Sequence, residues 1–277
     1  MTTTYEQEVK EGKRFKFGKN WQNFLSVLDD ERITEAEDSL KKMLEIDNLE
    51  GQSFLDIGSG SGLFSLAARR LGAKVYSFDY DPNSVSCAQE LRGRYFPEDS
   101  QWTIEQGSAL DVDYLKSLGQ FDIVYSWGVL HHTGDMWKAL ENVGSVVKNQ
   151  GKLFIAIYNF QGNTKTKLNF LLKKSYTQSN SVGKLLIAGA YIGFRLVSGS
   201  LIDLVRLKNP LGRYSQKKKS RGMSVFYDWI DWVGGYPFEV AKPEEIFYFY
   251  SNQGFILKKL ITCGGGHGCN QFVFSKP

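Results

Sequence analysis

The chain has 277 residues, 42% of them hydrophobic, and a formal net charge of +4 at pH 7, enough apolar material for a full core in one large domain or one domain with an insertion. Its three cysteines, Cys87, Cys263 and Cys269, are too few and odd in number for a disulfide framework, which points to a reducing compartment. Residues Met1 to Arg14 are polar and charged without an apolar signal core, so a cytoplasmic location is expected rather than export.

In chain order, the aromatic run Phe15, Phe17 and Trp21 leads into a predicted helix over Trp21 to Leu28, and a second follows from Thr34 to Leu44, with Thr34 and Glu37 spaced as a capping box. Next comes Leu55-Asp56-Ile57-Gly58-Ser59-Gly60-Ser61-Gly62, an apolar strand ending in an acid and three alternate glycines. Glycines at that place let a ligand lie against the backbone, and the predicted helix from Leu63 to Leu71 offers its N-terminal amides to the ligand's polar tail. The dinucleotide pattern G-x-G-x-x-G is broken, because the third glycine falls at 62 rather than 63.

Lys74 to Asp79 alternates like a buried strand, and its terminal acid lies where a carboxylate can accept ribose hydroxyls. Gln101 to Glu105 is a third predicted strand, leading into Gly107-Ser108-Ala109-Leu110-Asp111, and Phe121 to Tyr125 a fourth, leading into Ser126-Trp127-Gly128-Val129-Leu130-His131-His132. A fifth, GKLFIAIYN, covers residues 151–159.

With these motifs in order, LDIGSGSG, FDYDP, GSALD and FDIVYSWGVLHH, the chain resembles the class I S-adenosylmethionine-dependent methyltransferases, in particular the group that includes the ubiquinone-pathway O-methyltransferases. The resemblance runs from about residue 50 to 160. It implies a Rossmann-like α/β fold with a seven-stranded, mostly parallel sheet and a C-terminal antiparallel hairpin. It also implies S-adenosylmethionine as cofactor, leaving as S-adenosylhomocysteine. Gly58, Ser59 and Gly60 would underlie the methionine portion, and Asp56 would orient its amino group. Asp79 would hold the ribose, with Tyr80 near the adenine and Ser108 and Ala109 at its edge. Ser126 and Trp127 would floor the sulfonium. In many such enzymes N-terminal helices close the site; Phe15, Phe17 and Trp21 either do that here or anchor the segment to the sheet.

The implied organisation is an N-terminal helical cap over 1–50, a cofactor-binding core over 51–160, a basic helical insertion over 161–222, and the rest of the core with a substrate-facing loop over 223–277. Toward the end, Pro243 to Gln253 reads as a helix and Phe255 to Thr262 and Asn270 to Ser275 as strands. The insertion is too long for an ordinary connection. Between Lys165 and Arg221 it holds thirteen Lys or Arg against one acid, Asp203, a net +12 that leaves −8 for the rest of the chain. Within it, Leu185 to Leu207 is apolar apart from a narrow stripe of Arg195, Gly199, Asp203 and Arg206. A transmembrane span is rejected because of those charges. The helix is expected to serve as a lid or oligomer contact, or to lie peripherally on a membrane through residues 165–221 with lysines on anionic groups.

Arg221 and the cluster around Tyr227, Asp228, Asp231, Trp232 and Tyr236 bring stacking rings and acids suited to a polar acceptor. A sulfonium methyl is already activated, so the protein must align the nucleophile and, for a hydroxyl, remove one proton. His132, with an ordinary pKa near about 6.5, is favoured as that base, His131 is the second choice, and Asp228 a further candidate. Cys263, His267 and Cys269 lack an obvious fourth ligand, and no metal is expected.

The leading function is methylation of a small-molecule hydroxyl on a sugar, quinol, or lipid-linked or phosphorylated intermediate. The alternatives are an RNA-modifying methyltransferase and a non-catalytic cofactor-binding protein. Nucleic acid is not the expected partner, since no RNA-binding module is evident. Nothing in the sequence specifies an oligomeric state.

Overall fold

The computed structural model describes residues 4–205 and 225–277, without the side chains of Lys19, Ile202, Leu204, Val205 and residues 225–228. Among these residues seven strands, β1 (Ser53–Ile57), β2 (Lys74–Asp79), β3 (Trp102–Gln106), β4 (Phe121–Trp127), β5 (Val147–Tyr158), β6 (Ile256–Ile261) and β7 (Cys269–Ser275), join in one sheet of order β3-β2-β1-β4-β5-β7-β6. The first five are parallel, and β7 runs antiparallel to both β5 and β6. This is the sheet that the sequence motifs imply.

Because helices cover both faces, the central strands are apolar on both. Leu55, Ile57, Val124, Leu153 and Phe272 face a core completed by α6 (Val112–Ser117), α7 (Met136–Ser145) and α11 (Pro243–Ser251). Phe54, Val75, Ile123, Phe154 and Val273 face the other, completed by α3 (Asp30–Leu44), α4 (Leu63–Arg70) and α5 (Pro82–Tyr95). The functional strand ends, Asp56, Asp79 and Trp127, thus all emerge at the carboxyl edge of the sheet, where the chain order reverses between β1 and β4.

Two helix starts differ from the sequence expectation. Helix α3 begins at Asp30, not Thr34: the Asp29 side chain accepts from the Arg32 N–H at 3.0 Å, and Asp30 and Glu31 complement the dipole in the first turn. Thr34 instead donates its hydroxyl to the Asp30 carbonyl at 2.9 Å. Helix α2 covers Gly18–Leu25, earlier than expected, behind a short α1 (Tyr5–Lys10). Helices α8 (Asn163–Gln178) and α9 (Ser181–Val205) follow β5 and pack on α10 (Val225–Gly234) around Tyr176, Ala188 and Val233.

Candidate active site

At the end of β1 the chain turns so that Gly58 and Ser59 donate their N–H groups to the Phe78 carbonyl on β2, at 2.8 and 3.1 Å. Gly60 has φ of 56°, and a Cβ there would lie 3.0 Å from the Trp21 ring of α2. Only glycine adopts that backbone at so close an approach without strain. The Asp79 carboxylate accepts from the Gly60 N–H and from the Asp81 N–H, both at 2.9 Å, while Asp56 accepts from the Ser65 hydroxyl at 2.5 Å. Burial pushes Asp56 up to about 7, with the nearby Asp79 charge adding to the rise, and pushes Asp79 up to about 6.

The N-terminal segment is tied over this turn. Asp81, the second acid of FDYDP, caps α5 and also accepts from the Tyr5 hydroxyl at 2.5 Å and the Gly18 N–H at 2.8 Å. Arg14 donates to the carbonyls of His132 and Thr133 at 2.9 and 3.1 Å, pairs with Glu8, and lies 4.9 Å over the Tyr80 ring. Phe17 sits 5.1 Å from the His132 ring. Trp21 and Phe17 both line the site cavity, and Phe15 also packs against Tyr176.

His132 closes a short 3₁₀ turn, Leu130–His132, after β4. Its Nδ1 stands 2.6 Å from the Pro237 carbonyl. A carbonyl only accepts, so Nδ1 carries the proton and Nε2 keeps the lone pair. Burial, then the charges of Lys173 and Arg14, lower His132 to about 3, which corrects the expectation of an ordinary value. The imidazole is neutral throughout the neutral range. Lys173 of α8 is fully buried, donates to the Trp232 carbonyl, and lies 4.3 Å over the Trp232 ring and 4.9 Å over Phe238. Burial pulls it down to about 7 despite Asp231.

One cavity of about 720 Å³ connects the two regions. Its cofactor side includes Asp56, Gly58, Ser59, Gly60, Asp79, Tyr80, Ser108, Ala109 and Trp127, and its far side His132, Tyr158, Tyr191, Arg195, Asp231 and Trp232. Tyr191 and Trp232 stack at 5.0 Å with rings 14° apart.

Three predicted site residues lie elsewhere. Ser126 is buried with its hydroxyl donated to the Ile57 carbonyl at 3.0 Å, because its side chain points into the sheet rather than out of its edge. His131 is fully buried and accepts from the Tyr158 N–H at 3.3 Å, a packing position that gives it no access to the cavity. Tyr236 packs on Phe170 at 5.7 Å, outside the cavity lining. The side chains of Tyr227 and Asp228, and all of Arg221 and Lys217 to Lys219, lie outside the described residues. Among the described residues no three His, Cys, Asp or Glu side chains gather around a metal position. Sequence reasoning did not single out Arg14, Asp81, Tyr158 or Lys173. Asp81 carried a signal, an acid before Pro82 at a helix start; the other three carried none.

The cavity suits a ligand with a cation and hydroxyls. Asp56 is a buried acid and Asp79 a half-buried one, neither forms an ion pair among the described residues, and the buried Ser59 hydroxyl has no partner there. Residues 55–155 match the methyltransferase domain family. The ubiquinone biosynthesis O-methyltransferase of Brucella ovis is 31% identical over 119 residues, covering 40% of this chain and 43% of that protein, so the match spans less than half of the relative's length. In fold, the chain is similar to magnesium protoporphyrin IX methyltransferase from Synechocystis PCC 6803 with bound SAH, at TM-score 0.51 and 15% identity over 100% of this chain and 90% of that one. An O-methyltransferase family protein from Burkholderia thailandensis also has TM-score 0.51, at 10% identity over 88% and 57% of the two chains. Glycine turn, sheet order and family match together place a methyltransferase domain over residues 55–155, on the fold of the S-adenosylmethionine-dependent methyltransferases.

Proposed function

We propose that the protein moves the methyl group of S-adenosylmethionine to a hydroxyl of a small-molecule acceptor, a sugar, a quinol, or a lipid-linked or phosphorylated intermediate. The observation that carries this reading is one cavity lined at one end by Asp56 and Asp79 and at the other by His132, whose Nδ1–H donates to the Pro237 carbonyl and leaves Nε2 unprotonated. S-adenosylmethionine, when bound, supplies a methyl already activated on sulfonium. Asp56 would meet the cofactor's ammonium and Asp79 its ribose hydroxyls. His132 Nε2 takes the acceptor's proton as its oxygen attacks in line, and the Nδ1–H bond to Pro237 holds the tautomer and shares the charge that develops.

Around the acceptor, the stacked Tyr191 and Trp232 with Tyr158 form an apolar wall that limits water. Arg195, 6.0 Å from the Trp229 ring, places a cation on that wall and favours an acceptor with an anionic group. Helix α9, which carries Tyr191 and Arg195, acts as its cover. The O-methyltransferases among the relatives support transfer to oxygen.

The test is His132→Ala. Tritiated methyl transfer from S-adenosylmethionine into the small-molecule fraction of a cell extract should fall by about 10² to 10⁴, with cofactor affinity by calorimetry nearly unchanged. Undiminished transfer would remove His132 from the role of base.

A further inference from the structure

Helix α9 is turned inside out for a water-soluble surface. Three polar side chains of its middle and end face the protein: Arg195 and Tyr191 line the cavity and Asp203 is buried. The outward face, by contrast, carries Val182, Leu185, Leu186, Phe194, Val197 and Leu201, with the small exposed Gly189 and Ala190 between Leu186 and Phe194 and no charge among them. Leu185 is 73% exposed and Phe194 67%. Neighbouring α8 adds Leu168 and Leu171, 65% and 50% exposed. From Val182 to Leu201 the stripe runs about 30 Å along the helix. So long a charge-free face exceeds the scattered exposed leucines of an ordinary surface.

Charge decides what covers it. Lys165 and Lys167 stand exposed on α8 beside Leu168, and the sequence after α9 carries Arg206, Lys208, Arg213, Lys217, Lys218, Lys219 and Arg221 with no acid before Ser224. A second copy meeting this face about a two-fold axis would bring two segments of net +12 together. An anionic bilayer meets both demands, apolar depth for the stripe and phosphate for the lysines of α8 and the basic run that follows α9 in sequence. The segment Ser181–Leu201 is long and apolar enough to cross a membrane, but its inner face is engaged by the cavity wall and α10, which leaves an orientation along the interface. We propose that the outer face of α9, with the basic residues of α8, docks the protein peripherally on anionic membrane lipid.

Flotation of the full chain with phosphatidylglycerol-containing and with pure phosphatidylcholine vesicles tests this. The protein should float with the anionic vesicles, and less as salt rises from about 0.05 to about 0.5 M. Leu185→Ser with Leu186→Ser and Phe194→Ser should cut the bound fraction at least about ten-fold, with S-adenosylhomocysteine affinity and thermal midpoint retained. Lys165→Glu with Lys167→Glu, which alters no apolar contact, should weaken binding to the anionic vesicles alone. Equal flotation of wild type and both variants would overturn the proposal. So would absence of flotation, and if sedimentation then finds a dimer that the serine variant dissociates, a second copy covers the face. Because cofactor affinity is measured on the same preparations, failure of docking and failure of the methyltransferase reading are separately visible.

Discussion

Two carboxylates held against their preference for water give the cofactor side its chemistry. Asp56 and Asp79, raised to about 7 and about 6 by burial, are partly protonated near neutrality and must be ionised to receive an ammonium group or ribose hydroxyls. Binding of S-adenosylmethionine should therefore release protons at pH 6, and affinity should rise from pH 5 to 8. Calorimetry in buffers of different ionisation enthalpy measures the release, which Asp56→Asn should reduce. Asp79→Ala should weaken binding about ten-fold or more, through lost hydrogen bonds each contributing about 1 to 2 kcal/mol. Unchanged affinity in that variant would take the ribose role away from Asp79.

At the scale of elements, the N-terminal cap is fixed by one side chain. Asp81 holds α5 through its first-turn amide, α1 through Tyr5 and α2 through Gly18, so three elements separated in sequence share a carboxylate. Asp81→Ala should lower stability by about 2 to 4 kcal/mol in chemical denaturation, since charge-assisted bonds and a helix cap are lost together. Limited proteolysis should then cut first between α1 and α3, and S-adenosylhomocysteine affinity should fall as Trp21 loses its place over Gly60. A variant as resistant to protease as the wild type would mean that aromatic packing alone secures the cap.

For the whole molecule, buried titratable groups set how stability follows pH. Asp56 and Asp79 have raised folded values, so their contribution is fullest at low pH and is lost as pH rises from about 4 to 7. The depressed His131 and His132 oppose them, contributing above the ordinary histidine range and less as pH falls through it. Lys173, lowered by burial to about 7, works the other way from the acids above neutrality: the unfolded chain binds the proton that the folded chain has released, so this group should add about 1 kcal/mol per pH unit between pH 7 and 9, until the raised Cys87 thiol opposes it. Lys173→Met should flatten that rise in denaturation series. A wild-type curve already flat there would mean that the aromatic cage keeps Lys173 charged.

What the sequence determined by itself is what its local spacing encodes. The glycine turn from Gly58 to Gly62, the acid ending β2 and the alternating apolar strands are each set within a few residues, and they lie in the stretch matched to the methyltransferase family. The apolar length of α9 and its stripe at Arg195, Gly199 and Asp203 were legible for the same reason, as helical periodicity. Tertiary structure decided which groups meet across distance. Arg14 reaches a carbonyl 118 residues away, His132 takes its tautomer from Pro237, 105 residues on, and Lys173 finds the Trp232 carbonyl 59 residues on. It also decided which way α9 faces, because a helix's periodicity defines its two sides but only packing against α8 and α10 selects the side that meets solvent. The burial that shifts Asp56, His132 and Lys173 is likewise a property of the surroundings, which no residue specifies alone.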